Sequence, residues 1–140
     1  MIGKKAYSLA KELWPINRSI TGEGVRETLN IIKKIIPNLK IFEVKSGTKA
    51  FDWKVPLEWY VKDAWIKDPS GKKICEFKKN NLHLVGYSSP IHCKLSKREL
   101  LKNLHSIPSM PDAIPYITSY YRKNWGFCIS EKHKNKLKKG

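Results

Sequence analysis

The residues whose types and spacing could do chemistry are concentrated in NRSITGEGVRETL, positions 17–29. Arg18, Ser19 and Thr21, followed by Gly22 and Gly24, stand just ahead of an amphipathic run. Such a stretch can cradle a phosphate, cap a helix or clamp a substrate. A P-loop needs GxxxxGK followed by Ser or Thr, which does not occur. A dinucleotide loop needs a third glycine where Glu27 stands and a preceding strand where LWPINRSI stands. Capping accounts for more of the pattern. Ser19 or Thr21 can accept from the first free amides of the helix, and Glu23 and Glu27 favour its positive end. Arg18 is left over: a cation near the wrong end of that dipole calls for an anion or carboxylate partner.

Other chemistry finds less support. His83, His92, His105 and His133 share no short spacing, and CxxC and HExxH are absent. A complete metal site needs three or four convergent ligands, so none is expected within this chain. SLAK at Ser8 and SGKK at Ser70 match SxxK without the companion motifs that give it weight. Asp52, Glu58, Asp63 and Asp112 have no spacing that sets two carboxylates on one catalytic face. Trp53, Trp59, Tyr60, Trp65, Tyr116, Tyr120, Tyr121 and Trp125, interleaved with lysines, could form a platform for single-stranded nucleic acid or glycan. They equally suit a β core with some rings lining a cleft, because aromatic residues are enriched in strands.

The elements that must carry these residues differ between the two ends of the chain. Residues 2–14 place Ala6, Leu9, Ala10, Leu13 and Trp14 on one helical face, stopped by Pro15. Val25, Leu29, Ile32 and Ile36 predict a second amphipathic helix, ended by Pro37. LKIFEVKSG predicts a strand closed by Ser46-Gly47. Beyond it the texture becomes β-rich. DAWIKDPSGKKICEF predicts two short strands about Asp68-Pro69-Ser70-Gly71, and NNLHLVGYS another. Ser96 and Glu99 have capping-box spacing ahead of a short helix. WGFCIS predicts a buried strand, and Ser130 a cap for a last helix. NKLKKG ends the sequence on a helix leading into a glycine turn, from which a fragment of a larger fold is expected.

Length and composition set the outer bounds. A chain of 140 residues is the size of one ordinary domain. Its formal net charge of +16 raises nucleic acid as a partner. Against that, the charge is mostly lysine, with Arg18, Arg26, Arg98 and Arg122 as the arginines, and arginine is the side chain suited to forked phosphate and guanine contacts. A solvated lysine surface is the plainer account. No apolar run approaches the roughly 18 residues of a membrane span, and the N-terminal stretch is not a signal peptide. Cys75, Cys93 and Cys128 are odd in number and widely spaced, which points to buried apolar roles in a reducing cytoplasm.

LWPINRSITGEGVRETL, VKSGTKAFDWKVPLEWYVKDAWIKD, NLHLVGYSSPIH and MPDAIPYITSYYRKNWGFCIS, taken in order, resemble aminopeptidase-like proteins encoded with bacterial and archaeal polysaccharide-biosynthesis genes. The resemblance runs from about Leu13 to the end. It implies a zinc-aminopeptidase-type α/β core interrupted by a small β-rich domain, with a winged-helix domain following. The fold class expected is therefore α+β, with residues 1–47 giving the first helices and strand of an incomplete core. Residues 48–140 would be the inserted β-rich domain and return segment. The family's metal ligands and glutamate base lie downstream of these motifs, so no catalytic or metal residue is assigned here. Zinc is expected of the complete protein only, with a peptide or aminoacyl amide as substrate, and this chain alone is expected to be inactive. Arg18, Ser19, Tyr120, Tyr121 and Trp125 are the candidates for a substrate cleft, Arg18 pairing with a carboxylate and the aromatics forming a wall. The competing class is a basic aromatic module binding an acidic glycan or single-stranded nucleic acid. The oligomeric state is left open.

Overall fold

The computed structural model describes residues 2–120 and 122–139. The chain divides into two compact units, Met1–Val61 and Lys62–Gly140. Helices and small sheets are both present, as an α+β chain requires.

Unit 1 begins with helix α1 (Ile2–Leu13) and helix α2 (Glu23–Ile35). Both follow from the apolar spacing, since residues three and four apart share a helix face. Yet neither helix has a buried residue. A two-residue hairpin follows, β1 (Lys49–Ala50) against β2 (Trp53–Lys54), with Ala50 opposite Trp53. Val55 continues it by donating to the Thr48 carbonyl at 2.9 Å, and it is the one hydrophobic side chain buried among the described residues of this unit.

The strand expected in LKIFEVKSG is not formed. Among the described residues no backbone hydrogen bond reaches residues 40–44, and Phe42 and Val44 are exposed. The physical reason is that a strand exists only through its ladder. Alternating apolar residues create the propensity, but nothing in the described chain supplies the partner.

Unit 2 has a core. The hairpin β3 (Ile66–Lys67) and β4 (Lys73–Ile74) closes around the expected turn, where the Asp68 carboxylate accepts from Ser70 Oγ at 2.7 Å and from the Lys72 amide at 2.9 Å. NNLHLVGYS departs from the expected strand. Asn81–His83 is a 3-10 turn capped by Asn80, whose side chain accepts from Leu82 N at 3.0 Å. The rest makes only single bridges, Leu84 with Phe127 and Gly86 with Thr118. An asparagine pair at the start competes for local backbone bonds and delays the strand.

Helix α3 (Lys97–Lys102) carries the expected capping box between Ser96 and Glu99 in full. β5 (Leu104–His105) then pairs in parallel with β6 (Phe127–Cys128), Leu104 lying opposite Phe127. Cys75, Leu104, Phe127 and Ile129 form the buried cluster, with Ile66, Ile74, Leu101 and Trp125 packed against it. Helix α4 (Glu131–Lys139) starts at Ser130, whose Oγ accepts from the His133 amide at 3.4 Å. Among the described residues no helix is long and apolar enough to cross a membrane.

Candidate functional site

The loop that opens α2 is built by close approach rather than by capping. The residue before α2 is Gly22, with φ of +150°, and no side chain caps the helix there. Ser19 turns away from the helix amides, donating instead to the Thr21 carbonyl at 2.6 Å and the Trp59 carbonyl at 3.4 Å. Thr21 Oγ1 donates to the Leu57 carbonyl at 3.4 Å. The expected cap by Ser19 or Thr21 is therefore corrected. Both hydroxyls bind the 57–59 segment, which leaves too little reach for the amides of the first turn.

The two glycines make that arrangement possible. A Cβ on Gly24 would overlap the Asn17 carbonyl oxygen, and one on Gly22 would meet Ser19 Oγ at 2.8 Å and the Trp59 carbonyl at 3.1 Å. Backbone packs here where a side chain would stand, which is why the motif reads GEG.

Arg18 is exposed, and its Nη1 donates to the Leu13 carbonyl at 2.6 Å. Within the described residues its hydrogen-bond partner is thus a backbone carbonyl. The reason lies in the preceding helix: the last carbonyls of α1 have no intrahelical donors and carry the negative end of its dipole. Arg18 is a C-terminal cap of α1 rather than a misplaced cation before α2.

The charged constellation of this unit is legible in the sequence only in part. Arg26 makes a forked contact with both carboxylate oxygens of Glu58 and also reaches Glu23 at 3.1 Å. The hydrogen bond from Arg26 holds the Glu58 carboxyl below its ordinary range, and the same bond raises Arg26 further. The Glu23–Arg26 spacing of three residues was a readable signal. Glu58, far along the chain, had none.

In unit 2, Tyr120 is half-buried and meets Tyr87 edge to face, ring centroids 4.8 Å apart at 73°. That segment is held by Gly86, whose amide donates to the Ile117 carbonyl at 2.8 Å and whose carbonyl accepts from Ser119 N at 2.9 Å. Trp125 packs against the buried cluster. Tyr121 lies outside the described residues. Tyr120 and Trp125 thus belong to one connected segment, and Arg18 and Ser19 to one loop in the other unit.

The histidines serve separate local ends. His83 Nδ1 lies 2.8 Å from the Cys128 carbonyl, and burial, then the nearby Lys134, lowers the basicity of His105. His133 Nδ1 lies 3.1 Å from Ser130 Oγ, the nearest thing to a nucleophile and base. That contact belongs to the start of α4, and among the described residues no third group is seen to orient His133 as a triad requires. Burial pushes the Cys75 thiol up to about 12 and Cys128 to about 11, while Cys93 is exposed. Trp65 has Lys73 Nζ 4.7 Å and Lys67 Nζ 5.8 Å from its ring centre, so these lysines are already engaged on the hairpin. Among the described residues no three His, Cys, Asp or Glu side chains converge. The donor set for a tetrahedral zinc, three or four such ligands, does not fit the residues described.

With that geometry in view, the family can be stated. Residues 58–140 match the family described as Domain of unknown function (DUF2172), and the chain belongs to it. It is 54% identical over 129 residues to a Clostridium acetobutylicum protein named "Putative polysaccharide biosynthesis protein with aminopeptidase-like domain", a match covering 92% of this chain and 30% of that protein. It is also similar to a solved structure described as "putative peptidase" from Clostridium acetobutylicum. There the TM-score is 0.92 at 52% identity, over 96% of this chain and 32% of the other. The chain thus spans about a third of the length of the relatives it matches.

Proposed function

We propose that this chain forms the N-terminal part of a zinc-dependent aminopeptidase-like hydrolase that serves polysaccharide biosynthesis, and that alone it does not turn over. The observation that carries this reading is the 54% identity, over 92% of the chain, to a protein named for an aminopeptidase-like domain. In this reading residues 1–47 contribute to the α/β core and residues 48–140 to the inserted β-rich domain. Zinc and its ligands come from polypeptide outside this sequence, where zinc would polarise the scissile carbonyl and activate water. The Arg18–Ser19 loop, and separately the Tyr120, Tyr121 and Trp125 segment, contribute to the substrate cleft of the complete protein. The substrate is a peptide or aminoacyl amide.

Titration of zinc into the purified chain, followed by assay of aminoacyl-amide hydrolysis, tests the reading. The expected result is neither stoichiometric tight zinc nor hydrolysis. Tight equimolar zinc accompanied by turnover would sink it.

A further inference from the structure

The β3–β4 hairpin has two unlike faces. Side chains alternate along a strand, so Ile66 and Ile74, opposite one another, turn inward and pack against the buried cluster of unit 2. Lys67 and Lys73, the next opposed pair, stand on the outer face and are exposed. Two like charges directly across a hairpin repel each other. A carboxylate beside them would relieve that, yet the neighbouring acids are used elsewhere. Asp63 pairs with Lys78 at 3.6 Å and Glu76 with Lys79 at 2.5 Å. The Asp68 carboxylate is held in its own turn by Ser70 and the Lys72 amide. Among the described residues neither Lys67 nor Lys73 makes an ion pair.

Trp65 is what the two ammoniums meet instead. Lys67 Nζ lies 5.8 Å and Lys73 Nζ 4.7 Å from its ring centre, and the residue remains 37% exposed. Cation–π attraction at an exposed site is weak, and an ammonium has three donors to offer an anion. The three side chains therefore present an apolar plane beside two unneutralised cations. Strand pairing and the inward-packed isoleucines hold the backbone beneath them.

That combination fits one ligand chemistry. The negative face of an indole attracts the polarised C–H bonds of a sugar ring as it attracts a cation, and the ammoniums take a carboxylate. A nucleic-acid strand asks for several rings to stack successive bases, whereas residues 65–75 hold one. We propose that Trp65, Lys67 and Lys73 form a binding site for a uronate unit of an acidic glycan. The site lies in unit 2, goes beyond the hydrolase reading and does not depend on it.

The test titrates the whole 140-residue chain with an oligogalacturonate at low salt. Calorimetry reads the affinity, and the Trp65 indole N–H resonance, identified by its loss in Trp65→Phe, reads the place. Saturable binding that shifts this resonance is expected. Trp65→Ala, and separately Lys67→Met combined with Lys73→Met, should each weaken binding at least about tenfold. The lysine variant also separates binding from folding: removing the repulsion leaves Tm unchanged or higher. The fully methyl-esterified oligomer, which keeps the sugar and loses the charge, should bind at least about tenfold more weakly. Lys33→Met combined with Lys34→Met takes the same charge from α2 and should change affinity less than about twofold. The proposal is overturned by no binding, by an equal loss in the α2 variant, or by undiminished binding of the ester. Equal affinity for an oligothymidylate or an oligoglutamate would overturn it too, since neither carries a uronate.

Discussion

The two units of this chain solve different problems with similar amounts of apolar sequence. Unit 2 buries Val85, Leu104, Phe127 and Ile129, pairs β5 with β6 and starts α3 and α4 with side-chain caps. Unit 1 has the stronger helical patterns and buries Val55 alone among its described hydrophobic residues. Amphipathicity says which face wants cover, and only tertiary partners say whether cover is there. The difference teaches that unit 2 carries a buried cluster of its own, in the part of the chain that the family match over residues 58–140 covers. Unit 1 leaves the apolar faces of both its helices without a buried residue.

The largest effect that would sharpen this contrast is on the unit 2 core. Leu104 is 1% exposed and packs with Cys75, Phe127 and Ile129. Leu104→Ala is expected to cost about 2–5 kcal/mol through lost burial and a residual cavity, whereas Ile35→Ala in unit 1 should stay within about 0.5 kcal/mol. Urea unfolding of both variants checks it, and equal losses would erase the distinction between the units.

Next comes Gly24→Ala, which tests whether unit 1 has any packing of its own. The new methyl meets the Asn17 carbonyl. That overpacking, about 1–3 kcal/mol, outweighs a helix-propensity gain of at most about 1 kcal/mol. A more stable variant would show that the 17–24 loop is free to move away. A smaller loss, about 1 kcal/mol, is expected for Ser96→Ala, which removes the acceptor of the α3 capping box. Thermal unfolding monitored by helical circular dichroism reads both.

The smallest effect concerns acid. Glu58 is held below its ordinary range by the Arg26 hydrogen bond. Its contribution is therefore present above the unfolded carboxylate value and is lost as pH falls through the lower folded value. Glu58→Gln should flatten the acid-side loss of unit 1 slightly and leave neutral stability almost unchanged, because exposed pairs are worth little. In unit 2, Glu99 and Asp68 are depressed in the same sense by hydroxyl hydrogen bonds from Ser96 and Ser70. Acid titration of wild type and variant, followed separately in each unit, distinguishes them.

What could be read in the sequence was what short range determines. Helices α1 and α2, the turn about Asp68 and Gly71, the Ser96–Glu99 box and the buried FCIS run all depend on neighbours within a few residues. The strand expected at LKIFEVKSG failed because a ladder needs a second strand, and no local pattern announces its absence. Arg18 was left over in the sequence because its partner here, the Leu13 carbonyl, is backbone and leaves no mark in residue type. The pairing of Arg26 with Glu58 and the contact of Ser19 with Trp59 span more than thirty residues. Glycine at 24 was visible as a letter, but its cause, the Asn17 oxygen, was not.

Amide hydrogen exchange on the chain tests the central claim, the contrast between the two units, most directly. In the chain alone, the Phe127 and Ile129 amides, which donate to the Asn103 and His105 carbonyls, should exchange slowest. Residues 40–44 should exchange near the unprotected rate. Protection of residues 40–44 equal to that of Phe127 and Ile129 would contradict the account.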